Sequence, residues 1–72
     1  FNVYPNPSED VFQWSGENVS EIKVFDPSGK CVQHLIFPVP VKEGNIKLVS
    51  QGVYILRFKA SEQLYYKRII KN

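Results

Sequence analysis

Some residue types are nearly or wholly missing from this 72-residue chain: it has no methionine, one cysteine and one alanine. Because Cys31 stands alone, an intramolecular disulfide and a cysteine-rich metal site are excluded. Strong helix formers are scarce whereas Val, Ile, Phe and Tyr are plentiful, which favours strands. No apolar run is long enough to predict a signal peptide or a membrane-spanning helix here. Since residue 1 is phenylalanine, we expect a piece of a longer or processed protein.

The charge is small overall but uneven along the chain. The net charge is +2, yet residues 53–72 hold five of the nine lysines and arginines and only Glu62 among the seven acidic residues. A basic end of this kind suits an acidic partner, nucleic acid or anionic lipid. A solvated strand whose lysines prevent pairing with other chains explains it equally and is the interpretation we favour from charge alone.

Turn-forming residues recur about every eight to twelve positions, and the segments between them predict strands. The predicted strands cover residues 1–4, 11–14, 21–25, 30–36, 46–48, 52–59 and 64–72. Turns are predicted at 15–18, 26–29, 42–45, 49–52 and 60–63. The alternating prolines of 37–41 predict an extended crossing or an irregular edge. About seven two-faced strands without a helix predict an all-β fold, a single small antiparallel sandwich over residues 1–72.

Few residues suggest chemistry. Cys31 and His34 are three apart, and an odd spacing on a strand places side chains on opposite faces, so we predict no Cys–His dyad and no shared metal. A small half-buried cysteine and a surface histidine are the expectation instead. The glycines are scattered, which excludes a phosphate-binding loop. We therefore expect no enzymatic activity, no cofactor and no metal.

The aromatic residues invite a ligand-binding interpretation. Trp14, Tyr54, Tyr65 and Tyr66 suit a stacking platform for sugars or bases, and the basic end suits a phosphate backbone. A chain this short needs many of its rings for the core, however, because each buries on the order of 150–250 Å². We expect Trp14 and Tyr54 in the core and at most one of Tyr65 and Tyr66, and we predict no nucleic-acid partner.

Four short motifs follow one another along the whole chain: "NVYPNP" (2–7), "VFDPSGK" (24–30), "GVYILRF" (52–58) and "YKRIIKN" (66–72). In this order and spacing the chain resembles the C-terminal sorting domain of the type IX (Por) secretion system of Bacteroidetes. The resemblance implies an immunoglobulin-like β-sandwich at the end of a larger exported cargo protein.

The resemblance also implies a function and partners. Such a domain is a non-catalytic sorting signal that directs its cargo through the outer-membrane translocon after transit through the periplasm. A sortase-like cysteine protease then removes it, or the protein is attached to the cell surface. The implied destination is secreted or cell-surface, with no membrane insertion by the domain itself. The alternative function is an accessory carbohydrate-binding or adhesive module of a secreted enzyme.

The resemblance assigns roles only to residues that match its motifs. A structural role is implied for the opening and hairpin residues, namely Pro5, Asn6, Pro7, Asp26, Gly29 and Lys30. A role in the transport signal is implied for Gly52, Tyr54, Lys67, Arg68, Ile69, Ile70 and Lys71.

The terminal strand has two faces by alternation. We expect Leu64, Tyr66, Arg68 and Ile70 to cover the core, with the arginine head reaching water. The other set would then face outward as the surface that the transport machinery reads: Tyr65, Lys67, Ile69 and Lys71.

Overall fold

The computed structural model describes residues 1–5 and 10–72, and the predicted motif residues Asn6 and Pro7 lie outside them. These residues form five strands in one antiparallel sheet. The strands are β1 (Asn2–Tyr4), β2 (Val11–Phe25), β3 (Cys31–Lys47), β4 (Gly52–Ala60) and β5 (Gln63–Lys71). The prediction of an all-β antiparallel fold is confirmed. In the described part of the chain no helix is present that is long and apolar enough to span a membrane.

The structure has five strands where the sequence predicted about seven, because two predicted turns lie inside long strands. Residues 15–18 lie within β2 and residues 42–45 lie within β3, where Ser15 pairs with Glu43. The register then shifts before Val19 pairs with Val41. A bulge of this kind bends a strand without ending it. The sequence cannot distinguish it from a turn, since both use glycine, asparagine and serine.

The proline-rich segment lies at the edge of the sheet, which is one of the two arrangements predicted for it. Glu21 pairs with Ile36 and Val19 with Val41, so residues 37–40 have no ladder partner in the registered pairs. Pro38 and Pro40 occupy this bulged stretch. Proline has no N–H to donate to a ladder, and an unpaired stretch of an edge strand is where that loss costs least.

β2 is the centre of the sheet. Residues 13–15 pair with both β1 and β3, and residues 19–25 pair with both β4 and β3. β3 therefore runs along one edge of β2, while β1 and β4 share the other edge. β5 continues the sheet beyond β4.

One apolar core lies on the concave side of this sheet. The ring of Trp14, from the first half of β2, packs at a tilt against Phe58 of β4 with ring centroids 5.6 Å apart, and against Phe37 at 6.0 Å. The sheet therefore bends back on itself around these rings. The buried apolar residues are Phe12, Trp14, Val19, Ile22, Val24, Ile46, Leu48, Tyr54, Leu56, Phe58, Ala60 and Ile69. Trp14 and Tyr54 are core residues, as predicted.

The predicted faces of the terminal strand are wrong. Ile69 is fully buried and Lys71 is only 8 % exposed, whereas Tyr66 is 60 %, Leu64 48 % and Ile70 37 % exposed. Directly opposed residues of neighbouring strands point to the same face of a sheet. Because Tyr54 of β4 faces the core and pairs with Ile69, Ile69 must face the core too.

Candidate functional site

The terminal hairpin, β4 and β5, brings two of the sequence motifs together. Gly52 pairs with Lys71, and Tyr54 pairs with Ile69, so the "GVY" and "RIIK" segments lie side by side. Five of the seven residues assigned to the transport signal therefore form or flank one end of this hairpin. Lys67 and Arg68 lie further along β5, opposite Leu56 and Ile55.

Gly52 and Tyr54 shape the entry into β4. Gly52 has a φ of +150°, a backbone conformation that residues with a Cβ atom rarely adopt. Two residues later, the buried Tyr54 hydroxyl donates a hydrogen bond of 2.7 Å to the carbonyl oxygen of Ser50. This bond ties the strand to the loop that precedes it, so both motif residues act on the geometry of the hairpin.

The basic and apolar residues of β5 divide into two groups by exposure. Ile69 and Lys71 face the core side, and the Lys71 ammonium donates a hydrogen bond of 3.2 Å to the carbonyl oxygen of Asn72. By the alternation of the strand, Lys67 also points to the core side, but its side chain is exposed. Arg68, Ile70 and Tyr66 point away from the core. A partner of the folded domain can touch Lys67, Arg68 and Ile70, while Ile69 is reached only by opening the strand.

A hydrogen-bonded turn connects β2 to β3, and this hairpin over residues 21–36 was predicted. The Gly29 amide donates to the Asp26 carbonyl oxygen at 2.9 Å. The carboxylate of Asp26 accepts hydrogen bonds from the Ser28 amide, the Ser28 hydroxyl and the Lys30 amide at 2.9, 2.6 and 3.0 Å. Gly29 has a φ of +88°, which favours glycine. Asp26, Gly29 and Lys30 therefore hold the turn. Pro5, from the opening motif, follows β1 through a cis peptide bond with Tyr4.

The Asp26 turn gives the fold a dependence on acid. The hydrogen bond from Ser28, followed by that from the Lys30 amide, lowers the pKa of Asp26 below its ordinary value of 3.8. A lowered folded-state pKa stabilises the fold above pH 3.8, and this contribution is lost as the pH falls through the folded-state pKa.

We expect the stability of Asp26→Asn to fall less steeply with decreasing pH than that of the wild type in this acid range. Urea unfolding at a series of pH values measures it, with Glu62→Gln as the control; equal acid slopes for Asp26→Asn and the wild type would contradict it.

A second polar cluster, which the sequence did not predict, lies on the side of the sheet opposite the core. The His34 Nε2 atom is 2.7 Å from Glu21 Oε2, and Arg57 Nη2 is 3.5 Å from Glu21 Oε1. The hydrogen bond from His34 is the main cause that lowers the pKa of Glu21. The Arg57 guanidinium also lies 5.7 Å from the centre of the Phe25 ring. The sequence signal for two of its members was the period-2 alternation of β2 and β4, which places Glu21 and Arg57 on polar faces.

Cys31 and His34 do not form a catalytic pair, but the reason differs from the predicted one. A register irregularity beside Cys31 pairs it with Phe25, while His34 pairs with Lys23, so the spacing of three no longer separates their faces. The Cys31 thiol instead donates to the Gln33 carbonyl oxygen at 3.2 Å, and His34 bonds to Glu21. Cys31 is exposed rather than half-buried, which corrects the prediction; His34 is at the surface, as predicted. Among residues 1–5 and 10–72 no cluster of three His, Cys, Asp or Glu residues is placed to hold a metal ion.

A family model described as the secretion system C-terminal sorting domain matches residues 2–72. The chain belongs to this family. The type IX secretion resemblance of its four motifs is therefore confirmed, and the match covers the hairpin that joins two of them. No curated protein and no solved structure matches the chain. Domains of this family are sorting signals and are generally non-catalytic. A type IX signal implies export across the outer membrane to the surface or the extracellular space.

Proposed function

We propose that this sorting domain is the C-terminal address of a larger exported cargo protein. The cargo crosses the inner membrane by its own signal peptide, passes through the periplasm and is directed by residues 1–72 through the type IX translocon. The observation that carries the proposal is the family match over residues 2–72. The pairing of Gly52 with Lys71 supports it, because it brings the "GVYILRF" and "YKRIIKN" motifs side by side in one hairpin.

After transit, the domain is removed by a sortase-like cysteine protease, or the protein is attached to the cell surface. In either case the domain is a substrate of the machinery and has no chemistry of its own. This part of the proposal rests on the resemblance of the motifs.

The residues of the proposed signal divide into two roles. Gly52, Tyr54, Ile69 and Lys71 shape and hold the hairpin, because they pair with one another and are wholly or largely buried. Lys67, Arg68 and Ile70 are the exposed residues that the translocon reads. This division supersedes the expectation that Ile69 and Lys71 face outward.

A reporter fusion tests the proposal. A periplasm-directed reporter carrying residues 1–72 at its C-terminus is expected to reach the medium or the surface of a host with a type IX system. Deleting residues 67–72 is expected to leave the reporter in the periplasm. Since this deletion also removes the buried Ile69, the variant Lys67→Gln/Arg68→Gln is tested beside it, because it changes exposed cations only.

The control for this experiment is Glu62→Gln, an exposed change in the turn between β4 and β5 that is expected to leave export at the wild-type level. Fractionation of medium, surface and periplasm measures each fusion. Normal export of the truncated fusion, or retention of the intact one, would refute the address role.

A further inference from the structure

The outer face of the sheet extends well beyond the terminal strand. The register aligns three rows across β2, β4 and β5. These rows are Glu21–Lys59–Leu64, Lys23–Arg57–Tyr66 and Phe25–Ile55–Arg68. Their side chains share the face opposite the core, because aligned residues of neighbouring strands point the same way. We call these nine residues the outer face.

The outer face is basic. It holds four cationic side chains, those of Lys23, Arg57, Lys59 and Arg68, and its single carboxylate is Glu21. That carboxylate contacts both His34 and Arg57, so its charge is already compensated within the domain. Lys23 and Lys59 add positive charge beside this cluster, which favours a partner that presents carboxylates.

The outer face also carries exposed apolar and aromatic surface. Tyr66 is 60 % exposed and Leu64 48 % exposed, and the adjoining pair Val53 and Ile70 is also partly open to solvent. Exposed tyrosine and arginine beside aliphatic residues are typical of protein–protein interfaces. Phosphate contacts alone make no use of the aliphatic groups of Leu64, Val53 and Ile70, so we take a protein surface as the partner and make a lipid surface an outcome of the test.

Arg57 is held in place before any partner arrives. It lies between the Glu21 carboxylate and the Phe25 ring, at 3.5 Å and 5.7 Å. A side chain fixed in this way loses little conformational entropy on binding, which is the property of a binding anchor. From charge, exposure and this fixed arginine, we propose that the outer face docks onto an acidic, partly apolar protein surface of the export machinery. The inference rests on the proposed function and extends the recognition site to β2 and β4.

Charge reversal away from the terminal motif tests the inference. In the reporter fusion, Lys23→Glu/Lys59→Glu reverses two outer-face cations and leaves residues 66–72 intact. We expect it to lower export at least about tenfold, since like charges across an interface repel. The matched control Lys42→Glu/Lys47→Glu makes the same charge change on exposed residues of β3 and is expected to export normally. Lys23→Arg/Lys59→Arg keeps the charge and is expected to retain export.

The outcomes are distinct. Urea unfolding of each purified domain tests whether Lys23→Glu/Lys59→Glu still folds. If it does not fold, Lys23→Gln/Lys59→Gln replaces it and is expected to show a smaller loss of export.

Equal export of the outer-face variant and its β3 control, with the intact fusion exported, would overturn this inference and leave the proposed function standing. Failure of the intact fusion would overturn both. Co-sedimentation of the purified wild type with phosphatidylglycerol vesicles, lost in the outer-face variant, would overturn the protein partner in favour of a lipid surface.

Discussion

Ile69→Ala is expected to lower the free energy of unfolding by about 2–5 kcal/mol, the range measured for truncating a buried isoleucine. Ile69 is fully buried and lies opposite Tyr54, so its loss leaves a cavity between β5 and the core. A 72-residue domain has about 4–11 kcal/mol of total stability, of which this is a large part. Urea unfolding followed by the fluorescence of Trp14, the single and buried tryptophan, measures the effect.

The neighbouring residue supplies the matched control. Ile70 has the same side chain on the other face of β5, where it is 37 % exposed, and Ile70→Ala is expected to cost less than about 1 kcal/mol. The alternation of β5, considered without its neighbouring strand, predicted the opposite, namely a core-facing Ile70 and an outward-facing Ile69. A greater loss of stability in Ile70→Ala than in Ile69→Ala would show that the register of β5 against β4 is wrong.

The error about this strand has a specific physical origin. Taken alone, the set Leu64, Tyr66, Arg68 and Ile70 holds one cation and the other set holds two, so hydrophobicity favours burying the first. The register with β4 gives the other result. The two-residue turn at Ser61 and Glu62 places Ala60 opposite Gln63, and the same register continues along both strands to Tyr54 and Ile69. The face of an edge strand is set by its neighbour, and single-strand patterns do not contain that information.

Other features were accessible from local sequence. The Asp26–Gly29 hairpin turn was predictable because each residue has its own reason for its position, and the structure contains the expected hydrogen bond between Asp26 and Gly29. The fold class followed from the strand pattern. The strand count did not, because the turn formers of residues 15–18 lie at a register shift of β2, and those of residues 43–45 pair regularly with β2 inside β3.

The candidate site was predictable in part for the same reason. Its motifs and the turn at residues 60–63 that joins them could be found in the sequence. The register could not, and it is the register that sets Gly52 opposite Lys71 and Tyr54 opposite Ile69. The cluster of Glu21, His34 and Arg57 draws one residue from each of three strands. Alternation places Glu21 and Arg57 on polar faces, but only the pairing of the strands brings the three side chains together.

Trp14→Ala is expected to have the second large effect, a loss of about 3–5 kcal/mol, because it removes the largest side chain of the core. The Trp14 ring contacts Phe37 and Phe58 and joins the first half of β2 to β4. Since the loss approaches the total stability of a domain of this size, we expect a partly unfolded population in the absence of denaturant. Circular dichroism measures the unfolded fraction, because the variant lacks the tryptophan whose fluorescence reports unfolding in the wild type.

Trp14→Phe separates packing from hydrogen bonding at this position. The Trp14 Nε1 group is buried, and none of the described residues accepts a hydrogen bond from it. A buried donor without an acceptor destabilises the fold, so replacing the indole by a phenyl ring removes that penalty while keeping most of the aromatic contact. We therefore expect Trp14→Phe to cost less than half as much as Trp14→Ala. Equal instability of the two variants would contradict this expectation. It would show that the core needs the whole indole, and that the contact of one phenyl ring with Phe37 and Phe58 is not enough.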